Sequence, residues 1–218
     1  MVTREVHLTD EIRTQVTLEL VYTEGTYKRI VEDALFFLDK SRKHNIAVME
    51  KNRYARMSIL LMAFYLESLS NLLFDALASS FSDDLDRRTD IPKPIRRFMA
   101  VHYQLYQAEL PLSTDGIRDI FTIRNRVIAH PTGFSKERHS EVAPGCWERS
   151  RVDKNVSYGK FTNLPFTYSQ FTSSHAEKIL GEVRGFLTSF HSLLKGKVSE
   201  QKVLDACWPT ELIEWSKK

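Results

Sequence analysis

The stretch "ARMSILLMAFYLESLSNLLFDALA", Ala55 to Ala78, decides how the rest of the chain reads. Its apolar residues recur at spacings of three and four, which is the periodicity of a helix. They also wrap nearly all round the middle turns, and such a helix needs partners on more than one side. The spacing therefore predicts a long helix from Lys51 to Ser79 at the centre of a bundle. Three of its polar residues, Arg56, Glu67 and Asn71, fall within about 60° of one another on a helical wheel. A carboxylate surrounded by Phe64, Leu66 and Leu69 prefers a partner, because Glu is almost never fully buried unpaired. Arg124 or Arg126 is the expected partner, and a stripe facing solvent is the plainer alternative.

Working outward, a helix is expected from Thr26 to His44, with Ile30, Ala34, Phe37 and Leu38 on one face. The segment "FSDDLDRRTDIPKP" breaks the pattern with charges and prolines and reads as a connection. Pro92 and Pro94 suit the start of a third helix, Ile95 to Gln107, since proline is tolerated in a first turn. A fourth helix carries Ile117, Ile120, Ile123, Val127 and Ile128 and stops at Pro131, which pushes the preceding residue out of the α region. A last helix, Ser174 to Leu194, has Ile179, Leu180, Val183, Phe186, Leu187 and Phe190 on one face. Between these two the helical pattern is lost, and "NVSYGKFTNLPFTYSQF" predicts a hairpin with its turn near Asn163, Leu164 and Pro165. The fold class is all-α: an up-and-down bundle of four to five main helices with a long irregular or hairpin insertion before the last. The domain spans 26–195, with the insertion at 131–173, an N-terminal extension at 1–25 and a tail at 196–218.

A chain of 218 residues, 42% hydrophobic and 27% charged, buries a core unaided and is not disordered. Two distant cysteines, Cys146 and Cys207, give neither a disulfide framework nor a zinc pattern, and a reducing, cytoplasmic setting fits. His139 and Cys146 lack compact ligand spacing, so no metal or cofactor is expected. The opening "MVTREVHLTDEIRTQ" lacks the apolar core of a signal peptide. The longest apolar run, Ile59 to Leu66, falls short of the ~20 residues that span a bilayer, so no membrane association is expected.

Net charge is +3, yet five Lys/Arg against Asp90 give +4 between Arg87 and Gln107. Within that patch Arg96 and Arg97 are candidate RNA contacts, whose affinity would fall with salt; a solvated basic face is the plainer reading. Tyr158, Phe161, Phe166, Tyr168 and Phe171 alternate with Lys154 and Lys160, as in a stacking surface for single-stranded RNA. Packing of a hairpin onto its domain is the reading preferred for these aromatics.

The fourth helix ends in "IRNRVIAHP", Ile123 to Pro131. Arg124 and His130 diverge by about 120° on an ideal helix, so they meet only if the last turn loosens. Arg126 and His130, four apart, share a face without distortion. An imidazole moves protons near neutral pH, and a guanidinium binds phosphate bidentately and stabilises growing charge. Together they suit attack of a ribose 2′-OH on its own phosphate, with Asn125 orienting either group. Basic residues closing a helix against its dipole are the ordinary alternative.

With the preceding helical region and the Glu in the long apolar helix, this stretch resembles the HEPN superfamily, whose hallmark is Arg, often a polar residue, then four to six residues and His. Arg124, Asn125 and His130 match it, and the likeness spans about Thr26 to Leu194. The resemblance implies a helical bundle, a homodimer that brings two motifs to one cleft, and metal-independent endoribonuclease activity. It also implies toxin or phage-defence roles, with RNA as substrate and an antitoxin or regulatory protein as a further partner. Other members are inactive dimerisation, nucleotide-binding or partner-binding modules. One departure is the absence of a Tyr two residues past His130, where Thr132 stands, so regulation of the nucleotidyltransferase-antitoxin kind is not implied.

Overall fold

Helix α2, Val48–Leu77, is the axis of the structure, and its apolar girth is met from several sides. The computed structural model describes residues 29–78, 91–128, 137–143, 146–151, 161–164, 170–195 and 197–198. Residues 29–42 form α1, followed by α2, α3 (Lys93–Tyr106) and α4 (Asp115–Ile123). A π-helical turn (Arg124–Ile128), strands β1 (Glu137–Ala143) and β2 (Cys146–Arg151), and α5 (Ser173–Lys195) complete the order. The molecule is an all-α bundle with a hairpin inserted before its last helix. Each of α3, α4 and α5 packs on α2, as does the π turn.

The core follows from this arrangement. Ile59, Met62, Tyr65, Leu66, Leu69 and Leu73 of α2 are fully buried together with Ile95, Phe98 and Val101 of α3. Val183 and Phe190 of α5 close the same cluster. Phe98 meets Phe186 and Phe190 edge-on, with centroids 5.1 and 5.0 Å apart. Such pairs add about 0.5–1.5 kcal/mol beyond the area they bury. The α2 helix also has an 18-residue window of mean hydropathy 1.5, enough by length and composition for a membrane span. Its longest uninterrupted apolar run understated this. Half of the window is buried inside the fold.

Helix ends agree with expectation to within a few residues, with two differences. Pro92 and Pro94 do flank the start of α3, which ends at Gln107 in the left-handed region, φ 53°. The fourth helix, however, is α-helical only to Ile123 and continues as the π turn; Ala129, His130 and Pro131 lie outside the described residues. A hairpin that the sequence reading does not foresee also stands before the aromatic segment. Antiparallel β1 and β2 pair Glu137 with Arg151 and Glu141 with Trp147, with an irregularity between Glu141 and Ala143. Of the aromatic hairpin expected over 155–171, residues 155–160 and 165–169 lie outside the described ones; at its expected turn Asn163 has φ 54°. The strands "ERHSEVA" and "CWERSR" carry little apolar alternation, so their one sequence signal is the intervening Pro144-Gly145 pair.

Two polar devices tie α5 in place. Arg42 at the end of α1 donates from Nε to Glu177 at 2.8 Å. At the N-terminus of α5 the Thr172 N–H donates to His175 Nδ1 at 3.1 Å, while the Thr172 carbonyl accepts the first helical bonds. This is one half of a capping box, with an imidazole in place of the usual carboxylate, while the Thr172 hydroxyl pairs with Ser174 Oγ and His175 Nδ1. Burial, then Lys178, lowers the His175 pKa below the ordinary 6.5. A proton would abolish the acceptor and set a positive charge at the positive end of the helix dipole.

The unfolded chain therefore takes that proton first as pH falls. The contribution of His175 is complete above about pH 6.5 and is lost progressively below it. Thermal melting of the wild type is expected to drop more between about pH 7.5 and 5.5 than that of His175→Gln, whose amide oxygen still accepts. Equal drops in the two proteins would exclude this role.

Candidate functional site

Arg124 opens the π turn, and the reason the helix widens there lies in the residues on either side. Ile123 is buried and Ile128 packs against the same core, although they are five apart. In an α-helix they would diverge by about 140°. A π turn, with its i→i+5 bonding, brings such residues back toward one side. Arg124 thus stands at a local expansion, a kind of feature frequent at functional sites.

Its guanidinium is held from three directions. Nη2 donates to Glu67 Oε2 of α2 in a close ion pair. The Phe64 and Phe121 rings lie 5.3 and 5.7 Å from its central carbon, in cation–π range. The Arg124 side chain is 16% exposed and that of Glu67 39%. Arg124 Nε is buried and has no hydrogen-bond partner among the described residues. Of the two arginines considered for Glu67, Arg124 is the one found on it. Coulombic attraction at this half-open position is modest, about 1 kcal/mol or less once solvent screening is counted. The rings add direction more than energy.

The remaining predicted residues are distributed as follows. Asn125 is exposed beside Arg124. Arg126 belongs to the π turn, but its side chain lies outside the described residues, as does His130. Glu67 and Arg124 are brought together; where His130 stands relative to either arginine is not part of the described structure.

Within the basic patch, the expectation for Arg96 is corrected. Arg96 is buried among the residues by which α3 packs, 9% exposed, and does not present an open cation to RNA. Arg97 is half-buried, its guanidinium 5.5 Å from the Phe74 ring centroid. Arg87 and Arg88 lie outside the described residues. The linear cluster of charges is thus split by the helix that carries it, since α3 turns Arg96 inward with Ile95 and Phe98. Among the aromatics of the later segment, Phe171 is fully buried and Phe161 exposed.

Sequence reasoning missed two features. Phe121 was not singled out and Phe64 was taken only as an apolar neighbour of Glu67, yet both flank the guanidinium; Phe64, three residues before Glu67 on α2, carried that signal in its spacing. Asp119 is buried in the apolar run of α4, and one carboxylate oxygen accepts from Phe161 N at 2.9 Å, Thr162 N at 2.8 Å and Thr162 Oγ1 at 2.9 Å. A buried acid between Ile117 and Ile120 needs such donors. The segment that leaves the π turn therefore returns to the same helix, five residues before Arg124. Among the described residues no group of three or more His, Cys, Asp or Glu is placed to hold a metal.

Searches with this chain match no protein-family model, no curated protein and no solved structure.

Asp119→Ala would strand two backbone N–H groups and is expected to cost about 3 kcal/mol. Asp119→Asn, which keeps an acceptor, should cost about 1 kcal/mol. Denaturant melts of the three proteins test this order; equal stabilities would show that the anchor contributes nothing.

Proposed function

We propose that this chain is a metal-independent endoribonuclease of HEPN type that cuts RNA by attack of a ribose 2′-OH on the adjacent phosphate. The observation that carries the reading is the setting of Arg124. A guanidinium fixed between two rings and a carboxylate, at the wide turn of a helix, is pre-aimed rather than free to wander. Pre-aimed donors stabilise developing charge without reorganising as the reaction proceeds.

In this mechanism Arg124 binds the scissile phosphate and stabilises the charge that grows on its oxygens. His130 takes the proton from the 2′-OH, and the 5′-oxygen leaves with a proton, from the imidazolium or from water. Asn125, exposed beside Arg124, orients substrate or imidazole by hydrogen bonding. The products are a 2′,3′-cyclic phosphate and a 5′-hydroxyl. In the homodimer that the family resemblance implies, two motifs line one cleft, and a toxin or phage-defence role follows from the same resemblance. RNA is the substrate because only RNA carries the nucleophile.

A second reading has its own observation. Arg124 already has Glu67 as partner, so the pair also serves as a plain cross-link between α2 and the π turn. On that reading the chain is a non-catalytic HEPN-like module for dimerisation or for binding a nucleotide or protein partner.

Labelled RNA incubated with the purified protein in EDTA separates the two. Cleavage that leaves 2′,3′-cyclic ends, spares an all-deoxy substrate and falls at least about 100-fold in His130→Ala and Arg124→Ala supports the ribonuclease. Absence of cleavage across varied RNAs supports the binding module.

A further inference from the structure

We infer that Glu67 is a latch on Arg124: its carboxylate occupies the guanidinium edge that an oxyanion would use, so phosphate binds there by displacing it. The inference rests on the proposed function for its substrate class, and it assigns that site a resting, self-occupied state. It follows from how the donors of Arg124 are shared out.

A guanidinium presents Nε and Nη2 along one edge, and that fork matches two oxygens of a carboxylate or phosphate. Glu67 engages only Nη2. The Nε–H on the same edge is buried and has no acceptor among the described residues. The internal carboxylate thus satisfies half of the fork, and a buried donor left unmade is costly. A phosphate, with more oxygens to offer, can serve both donors at once.

The two partners also differ in how firmly they are held. Arg124, the less exposed, has Phe64 and Phe121 at its sides. Glu67 has more than twice its fractional exposure, 39% against 16%. Water can accept the displaced carboxylate, whereas the guanidinium stays in place. Glu67 is therefore the moving part of the site, and Arg124 the fixed one.

Titration with inorganic phosphate and with an all-2′-deoxy oligonucleotide, which cannot be cleaved, tests the latch. Glu67→Gln is expected to tighten binding of both about fivefold, the scale of one partly exposed ion pair. Glu67→Ala should move affinity in the same direction, so the result does not depend on one substitution. The gain should vanish in an Arg124→Ala background. Asp75→Asn, which removes an exposed charge from the same helix, should give a much smaller change.

Unchanged or weaker binding in the Glu67 variants overturns the latch, as does a gain that survives loss of Arg124 or is matched by Asp75→Asn. The two ideas fail separately. Tighter binding without cleavage by any variant retains the latch and removes the ribonuclease, while cleavage without tighter binding removes the latch alone.

Discussion

The burial of α2 on several sides is the constraint from which the rest of the structure follows. A helix 30 residues long, apolar over most of its circumference, cannot rest on one neighbour. It draws α3, α4 and α5 around it, and their inward faces are set by the need to meet Ile59, Met62, Leu66 and Leu73. Phe98, Phe186 and Phe190 then fill the space where α3 and α5 approach each other. Polar residues interrupt this scheme at a few positions, among them Arg56 and Ser70 of α2 and Asp119 of α4.

The candidate site lies at such an exception. Glu67 interrupts the apolar surface of α2, and the helix end opposite answers it with Arg124. The π turn lets that helix end do two jobs, keeping Ile123 and Ile128 in the core while Arg124 reaches across to α2. Packing and chemistry therefore share one local distortion. A regular α-helical end would satisfy one of them at the expense of the other.

Much of the bundle was legible because long periodic segments announce themselves. The inward faces of α2 and α5 follow from the spacing of their apolar residues, and Pro92 and Pro94 mark the start of α3. The partner of Glu67 was narrowed to Arg124 or Arg126, and only tertiary geometry selects Arg124. Arg96 shows the opposite limit: a cluster of charges in sequence says nothing of which members a helix turns inward. The π turn was illegible as such, because it arises from core contacts five residues apart. The β1–β2 hairpin was passed over because its polar strands carry a weaker signal than the aromatics after them, and Asp119 because its donors lie some forty residues away.

The Asp119 anchor has a consequence for how this chain can vary. Everything between Ile128 and Phe161 leaves α4 and comes back to it, so the bundle sees a closed loop with both feet on one helix. Closure entropy grows only slowly with length, and doubling such a loop costs about 0.6 kcal/mol more. The insertion is thus a cassette. Beyond His130 its length can change at small entropic cost, while the helices and the arginine beside its point of departure remain as they are.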